Sequence, residues 1–350
     1  MIGRISDAAA PRLEVSREQI VAFRRRVGAL DDRLPAGQEP LRRAAWAGLQ
    51  DSMPRAALLS IHARVAGTEP STWEDPTLVH IWGPRFSTFL VAAADVPIFT
   101  LGRLPDDDKK RRFAEEMATR LHDFLDGREM SYSDAGRAIG VNPNALRYGT
   151  TTGRILIRWD GARRPTVRTV PAPDVDPFEA RLELARRHLH VFGPGTEASF
   201  ADWAGIKPPR ARAAFDALRP SLAPVRTPIG EAWILAGDEP VLRGPAGPPA
   251  PARLLPSGDA YFLLQGAERE LLVPEADRRG QLWTPRVWPG AVLMAGEIVG
   301  TWRRSQANLT VEPWRRLSSA EREAVEAEAA SLPLPGVEGQ VRVRWENVPG

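Results

Sequence analysis

Residues 131–170 read SYSDAGRAIGVNPNALRYGTTTGRILIRWDGARRPTVRTV. The stretch parses as a short helix, a tight turn, a second helix, then two strands around a basic turn. That is the order of a winged helix, a helix-turn-helix followed by a β-hairpin. It can set one helix in a DNA groove and a basic hairpin on a neighbouring phosphate track. Ser131, with Asp134 three residues on, has the spacing of a capping box. Gly140 suits a left-handed helix stop. Asn142-Pro143 restarts the chain as an N-cap followed by proline at the first helical position, where a missing N–H costs nothing. Residues 150–153 break the second helix. Ile155 and Ile157 alternate with Arg154 and Arg158 in a strand period. From Arg147 to Arg168, six arginines (147, 154, 158, 163, 164 and 168) stand against one acid, Asp160. Such a hairpin suits a phosphate partner, and a merely solvated charged face is the plainer alternative.

The same plan extends to both sides. A helix over about 110–125 places Phe113, Met117, Leu121 and Phe124 at helical spacing and completes the unit. A further unit follows, with Leu182, Ala185, Leu189 and Phe192 on one face of a helix over 178–192. Ser199 and Asp202 repeat the capping spacing, Gly205 ends that helix, Pro208-Pro209 opens another, and 225–235 reads as a hairpin around Gly230. The N-terminal region fits more loosely. Ser16 and Gln19 cap a helix carrying Ile20, Phe23 and Val27, helices follow over 41–49 and 56–65, and 82–91 reads as strand.

Residues 242–252 are rich in Pro and Gly and read as a linker. Beyond them, 261–264, 270–273, 281–283, 291–294 and 297–302 look like short strands, and a helix over 318–330, with Ser318 and Glu321 as its capping box, closes the chain. The expected fold class is α+β, with three tandem winged-helix units followed by a small C-terminal β-barrel. The expected divisions are 1–107, carrying a candidate catalytic turn; 108–173, the basic unit; 174–241; the linker 242–252; and 253–350.

The 350 residues carry a net charge of only +3, and this alone does not argue for DNA. The basic residues are almost all arginine, with lysine only at 109, 110 and 207. From Ser318 onward, six glutamates face Arg322, Arg342 and Arg344, so the body is more basic than the tail. No cysteine is present, which excludes disulfides, iron–sulfur clusters and a thiol nucleophile. No apolar run approaches the ~18 residues of a membrane span, and the N-terminus lacks a signal pattern. A cytoplasmic, monomeric protein without membrane, metal or cofactor is expected.

No phosphate-cradling Gly-rich loop with lysine, HExxH or GxSxG motif occurs. The five histidines are His62, His80, His122, His188 and His190. His188 and His190 are two apart on a helix and diverge, so they make poor co-ligands. The polar turn Gln50-Asp51-Ser52 sits between two helices. On residue chemistry alone, Asp51 or Ser52 is an N-cap and Gln50 a turn residue.

Residues 49–65 (LQDSMPRAALLSIHARV) nevertheless resemble the segment that carries a Gln–x–Gln or Gln–x–Asp pair in the AlkZ/YcaQ-like winged-helix DNA glycosylases. RFSTFLV at 85–91, followed by Ala94-Asp95, resembles that family's first hairpin. FGPG at 192–195 with FADWAG at 200–205 resembles its third helical unit. LLPSGD at 254–259 and GTWRR at 300–304 resemble its C-terminal barrel.

The resemblance covers about 15–316. It implies a metal-free, monofunctional glycosylase curved around double-stranded DNA and acting on alkylated purines, including crosslinked ones. Gln50 matches the first glutamine. Ser52 stands where the family has Gln or Asp, Asp51 holds the middle position, and Phe89 stands where a histidine is common. The resemblance makes Gln50 the residue that orients water, assisted by Asp51 or Ser52. The arginines expected on phosphates are Arg147, Arg154, Arg158, Arg163, Arg164, Arg303 and Arg304. Two other readings stand beside it: a non-catalytic DNA-binding protein (a transcription regulator or lesion binder), and a scaffold whose winged helices bind protein.

Overall fold

The structure is a computed structural model that describes residues 13–161, 164–245, 247, 250–337, 339 and 341–347. The order helix, helix, helix, hairpin occurs three times. First come Arg17–Val27, Gln38–Ala44 and Ala56–Arg64, then the strands Leu78–Trp82 and Thr88–Ala92. Next come Asp108–Leu125, Tyr132–Ala138 and a short helical pair, Pro143–Ala145 and Leu146–Gly149, then Ile155–Arg158 and Thr166–Thr169. Last come Pro177–Phe192, Glu197–Ala204 and Pro208–Leu218, then Leu222–Thr227 and Gly230–Leu235.

Local chemistry sets the helix starts, not always with the residues expected. Ser16 and Gln19 form a reciprocal capping box, as do Ser318 and Glu321. Asn142 caps the 143–145 turn by accepting from the Asn144 N–H. Ser131 makes no side-chain cap, and Asp134 pairs with Arg137 one turn on instead. The box expected at Ser199 and Asp202 lies three residues earlier, between Thr196 and Ser199. The helix expected over 41–49 ends at Ala44, because Leu49–Gln50 is drawn into a sheet. The strand expected over 82–91 is a hairpin folded at Gly83-Pro84.

The first two hairpins share one sheet. Its order is Leu49–Gln50, Thr88–Ala92, Leu78–Trp82, Ile155–Arg158, Thr166–Thr169, Met130–Ser131. The joint between them is His80 paired with Ile157. Strands in its middle are buried on both faces, which is why 78–82 and 88–92 read as near-continuous apolar runs. The third hairpin takes Leu13–Glu14 as a parallel partner, so the residues just ahead of the first helix are bound to the third helical set.

The C-terminal region departs from expectation. Residues 260–262 form a single turn, and Glu268–Leu272 and Ala276–Leu282 are helices, not strands. Short buried apolar runs fit either element, and these bury Leu271, Leu272 and Leu282 as helix faces. The strands are Arg253–Leu255, Gly290–Met294, Glu297–Ser305, Asn308–Pro313 and Arg342–Trp345, in that order across the sheet. The first and last lie at opposite edges, so among the described residues the sheet is open, not a closed barrel. The helix Ser319–Ala330 covers it, burying Val325 and Ala329 against Leu254, Val292, Leu309 and Val311. Leu59, from the helix Ala56–Arg64, enters the same core and joins this sheet to the N-terminal region.

Candidate active site

The turn after Leu49–Gln50 is fixed from three sides. Gln50 pairs with Phe89, and the Asp51 N–H donates to the Thr88 carbonyl at 2.8 Å. Side chains alternate about this short strand. Gln50 Nε2 donates to Ser52 Oγ at 3.1 Å, so these two side chains share one side. Gln50 is half-buried and Ser52 is exposed. Gln50 Oε1 is buried and accepts from no described residue.

Asp51 turns the other way and is 1% exposed. Its Oδ1 accepts the Ala57 N–H at 2.9 Å, satisfying one of the orphan donors at the start of the helix Ala56–Arg64. Its Oδ2 lies 3.0 Å from His80 Nε2 and 4.0 Å from Arg55 Nη1. Asp51 thus anchors the turn from beneath and lies apart from the Gln50–Ser52 side.

Arg55 ties the turn to the second hairpin. It donates to the Trp159 carbonyl at 3.2 Å and to the Asp160 carbonyl. Its guanidinium lies 3.6 Å from the centroid of the Trp73 ring, a cation–π contact that also compensates burial. Burial holds Arg55 below the usual arginine range, with Asp51 opposing. Gly161, at φ +80°, allows the hairpin to approach: a Cβ there would stand 2.9 Å from Pro54 Cβ.

The C-terminal region backs the turn. Gly258 lies directly on the Gln50 side chain. Beside it, Asp259 is buried and takes a bidentate pair from Arg64, 2.7 Å on each arm, plus the Ser60 hydroxyl at 2.7 Å. Bidentate geometry fixes direction as well as distance. The 256–259 loop is therefore locked to the helix that follows the Gln50 turn.

Ser52 lies at one wall of a cleft of about 620 Å³. Trp82, Arg85, Tyr132, Arg147 and Arg164 line it too, and among the described residues no Asp or Glu does. Arg147 sits 5.9 Å from the Trp82 ring, and Arg164 donates to Ser133 Oγ at 3.1 Å. Arg85 and Phe86, at φ +54° and +58°, are consecutive left-handed residues on the hairpin turn. Non-glycine residues in that region store strain, which concentrates at functional sites. Burial lowers the Arg85 guanidinium, with Asp202 opposing.

The DNA glycosylase AlkZ-like family is matched over residues 43–333. The chain belongs to this family. A solved structure, that of the Streptomyces sahachiroi DNA glycosylase AlkZ, superimposes with a TM-score of 0.75 over 95% of this chain and 100% of that one. At 20% identity that likeness shows the fold alone. Among curated proteins none matches the chain.

Of the residues expected to act, this AlkZ-like chain brings Ser52, Arg147 and Arg164 to one cleft, with Gln50 bonded to Ser52. It does not bring Arg154, Arg158, Arg303 or Arg304 there. Arg154 donates to Thr119 Oγ1 at 2.9 Å. Arg158 pairs with Glu74 at 2.6 Å and lies 5.4 Å from the Trp73 ring. Arg303 and Arg304 belong to the C-terminal sheet, where they donate to the Val287 and Gln306 carbonyls. Arg163 lies outside the described residues. Phe89 is fully buried in the sheet and does not face the cleft. Sequence reasoning missed Trp82, Arg85 and Tyr132. Gly83-Pro84 before Arg85 is the signal that could have marked the turn. Among the described residues no three His, Asp or Glu converge as metal ligands, and no helix is long and apolar enough to cross a membrane.

Proposed function

We propose that this protein is a monofunctional DNA glycosylase that hydrolyses the N-glycosidic bond of purines alkylated at N7, crosslinked purines included, in DNA repair or self-resistance. The observation that carries the reading is the Gln50–Ser52 pair beside a cleft whose charged side chains are all arginine. In this reading the three helical sets are winged-helix units bounded near 107, 173 and 241. They hold duplex DNA together with the C-terminal sheet, and the protein works as a cytoplasmic monomer. Arg147 and Arg164 contact phosphates, with Arg154, Arg158, Arg163, Arg303 and Arg304 as outer contacts.

The chemistry needs little equipment. An N7-alkylated purine is cationic and leaves as a neutral base. The C1′–N9 bond breaks with its electron pair going to the purine, and the sugar passes through an oxocarbenium-like state. Water then bonds to C1′ and releases a proton. Gln50 Oε1, which accepts from no described residue, supports water positioning and stabilises the developing positive charge. Ser52 holds the Gln50 amide by its nitrogen. Asp51 acts at one remove, by holding the turn.

The test is release of free base from duplex DNA carrying an N7-alkylguanine, followed by mass spectrometry. Wild type should release it well above the no-enzyme control, and Gln50→Ala should not. Release no faster than control across several N7 adducts would leave the second reading, a lesion-binding protein without catalysis. Ser52, at the position where the family carries Gln or Asp, favours that alternative.

A further inference from the structure

Phe86 lines a second pocket as well, also of about 620 Å³. Its walls come from the first hairpin turn, the helix Asp108–Leu125, the short helix carrying Tyr148, and the start of Pro208–Leu218. One wall is aromatic. The Tyr148 ring stands edge-on to Phe86 at 5.2 Å and to Phe113 at 6.1 Å. Tyr148 is 53% exposed and Phe113 43%. Two large rings kept this open to water at a concave surface are unusual for a purely structural cluster.

The other wall is cationic beyond its acids. Arg103 is buried and, among the described residues, donates only to backbone, to the Trp82, Phe99 and Ala204 carbonyls. Arg181 and Arg210 share Asp106, at 2.8 and 3.1 Å. Two guanidiniums therefore share one carboxylate, and Arg103 has none among the described residues. Burial pushes Arg103 down to about 9, and Arg210 down to about 10 with Arg181 adding to the effect. Both remain charged at neutral pH. Asp107 is occupied in capping the Lys110 N–H. Lys110 and Lys207, two of the three lysines in the chain, complete the lining. Neither ammonium has an ion-pair partner among the described residues.

We infer that this pocket binds a nucleotide, its base stacked on Tyr148 and Phe113 and its phosphate held by Lys110 and Lys207. A free inorganic anion would leave the rings unused, and an apolar ligand would leave the lysines unused. A planar ring bearing an anionic group satisfies both walls. Its size lies in the range of about 300–1,000 Å³ for small-molecule sites, and stacking on aromatic faces tolerates any base. The nucleotide can come from an unpaired position in a DNA strand or from free mononucleotide. This site stands apart from Gln50, so it does not depend on the proposed base-release chemistry.

The test is fluorescence titration of the full chain with 2-aminopurine 2′-deoxyribonucleoside 5′-monophosphate, and with a duplex carrying 2-aminopurine in a single-stranded 3′ overhang. Saturable quenching is expected with at least one probe. Tyr148→Ala should weaken it at least tenfold, Tyr148→Phe should retain it, and Lys110→Ala/Lys207→Ala should weaken it at least tenfold and flatten its salt dependence. These side chains are exposed, so the variants should keep the wild-type melting temperature. Tighter binding of the overhang assigns the pocket to strand DNA; equal or weaker binding assigns it to free nucleotide. Gln50→Ala should quench as wild type does, which separates this site from the cleft. No saturable quenching by either probe at millimolar concentration, or quenching undiminished in both the Tyr148→Ala and double-lysine variants, overturns the assignment.

Discussion

Gly258 is the surface against which Gln50 rests. A Cβ at Gly258 would stand 3.2 Å from Gln50 Cδ and 3.3 Å from its Nε2. The loop that carries this glycine is set by Asp259, locked to Arg64 at the end of the helix that follows the Gln50 turn. So a residue some two hundred positions away in sequence fixes the amide proposed to orient water.

Gly258→Ala should therefore act on rate before it acts on binding. At φ +75° an alanine is strained by about 1–2 kcal/mol, and Gln50 must move to admit the methyl. The expected outcome is a drop in single-turnover base release of roughly tenfold or more, about 1.4 kcal/mol of barrier, with duplex affinity unchanged. An unchanged rate would mean that Gln50 needs no such support.

Asp51 and Ser52 should separate cleanly. Asp51→Ala strands the Ala57 N–H and the His80 ring nitrogen in a buried site, and each unsatisfied group costs about 1–3 kcal/mol. Urea denaturation should show a loss of that order. Ser52→Ala, at an exposed position, should stay within about 0.5 kcal/mol of wild type while slowing base release. If Asp51→Asn kept full stability and lost all activity, Asp51 would have to be moved from anchoring to chemistry.

The helical sets were legible because caps and apolar spacing are local. Ser16 with Gln19, Asn142-Pro143, Gly140 and Ser318 with Glu321 all do in the structure what their spacing implies. The fused sheet was not legible. His80 beside Ile157 is a contact between distant strands, and no local signal encodes it. The C-terminal strands were half visible. Residues 291–294 and 297–302, read as strands, lie in the sheet, whereas 270–273 and 281–283 are apolar runs too short to tell strand from helix. In the site, the polar triplet 50–52 stood out. Its division into an outward Gln50–Ser52 pair and a buried Asp51 depends on His80 and on the helix start, both supplied by folding.

The arginines should rank by what already engages them. Arg147 and Arg164 line the cleft beside Ser52, and neither is ion-paired among the described residues. Each, replaced by alanine, should weaken duplex binding across sequences and lower the slope of log K against log salt by about 1. Arg158→Ala should change that slope less, because its guanidinium is paired to Glu74. Titration of a labelled duplex at several salt concentrations measures all three. Equal slopes for the Arg147 and Arg158 variants would remove the cleft from the DNA path.

Acid should unfold this protein through two buried histidines. Burial pushes His188 down to about 3, with Arg24 adding, and His62 down to about 4, with Arg33 and Arg253 adding, from an ordinary 6.5. Both folded values lie below the unfolded value. Between pH 6.5 and about 4 the unfolded chain therefore takes up protons that the folded chain refuses. The stability from keeping these rings neutral is fully present above pH 6.5 and is lost as pH falls toward 4 and 3, by up to about 1.4 kcal/mol per pH unit for each histidine. His188 lies among Phe192, Phe200 and Trp203, so protonation would bury a charge in an aromatic core. His188→Gln should lower stability at pH 7.5 yet flatten the dependence on pH between 6.5 and 4.5. Urea denaturation at three or four pH values reads that slope directly. A slope identical to wild type would mean that His188 takes up its proton without unfolding the site, which its surroundings argue against.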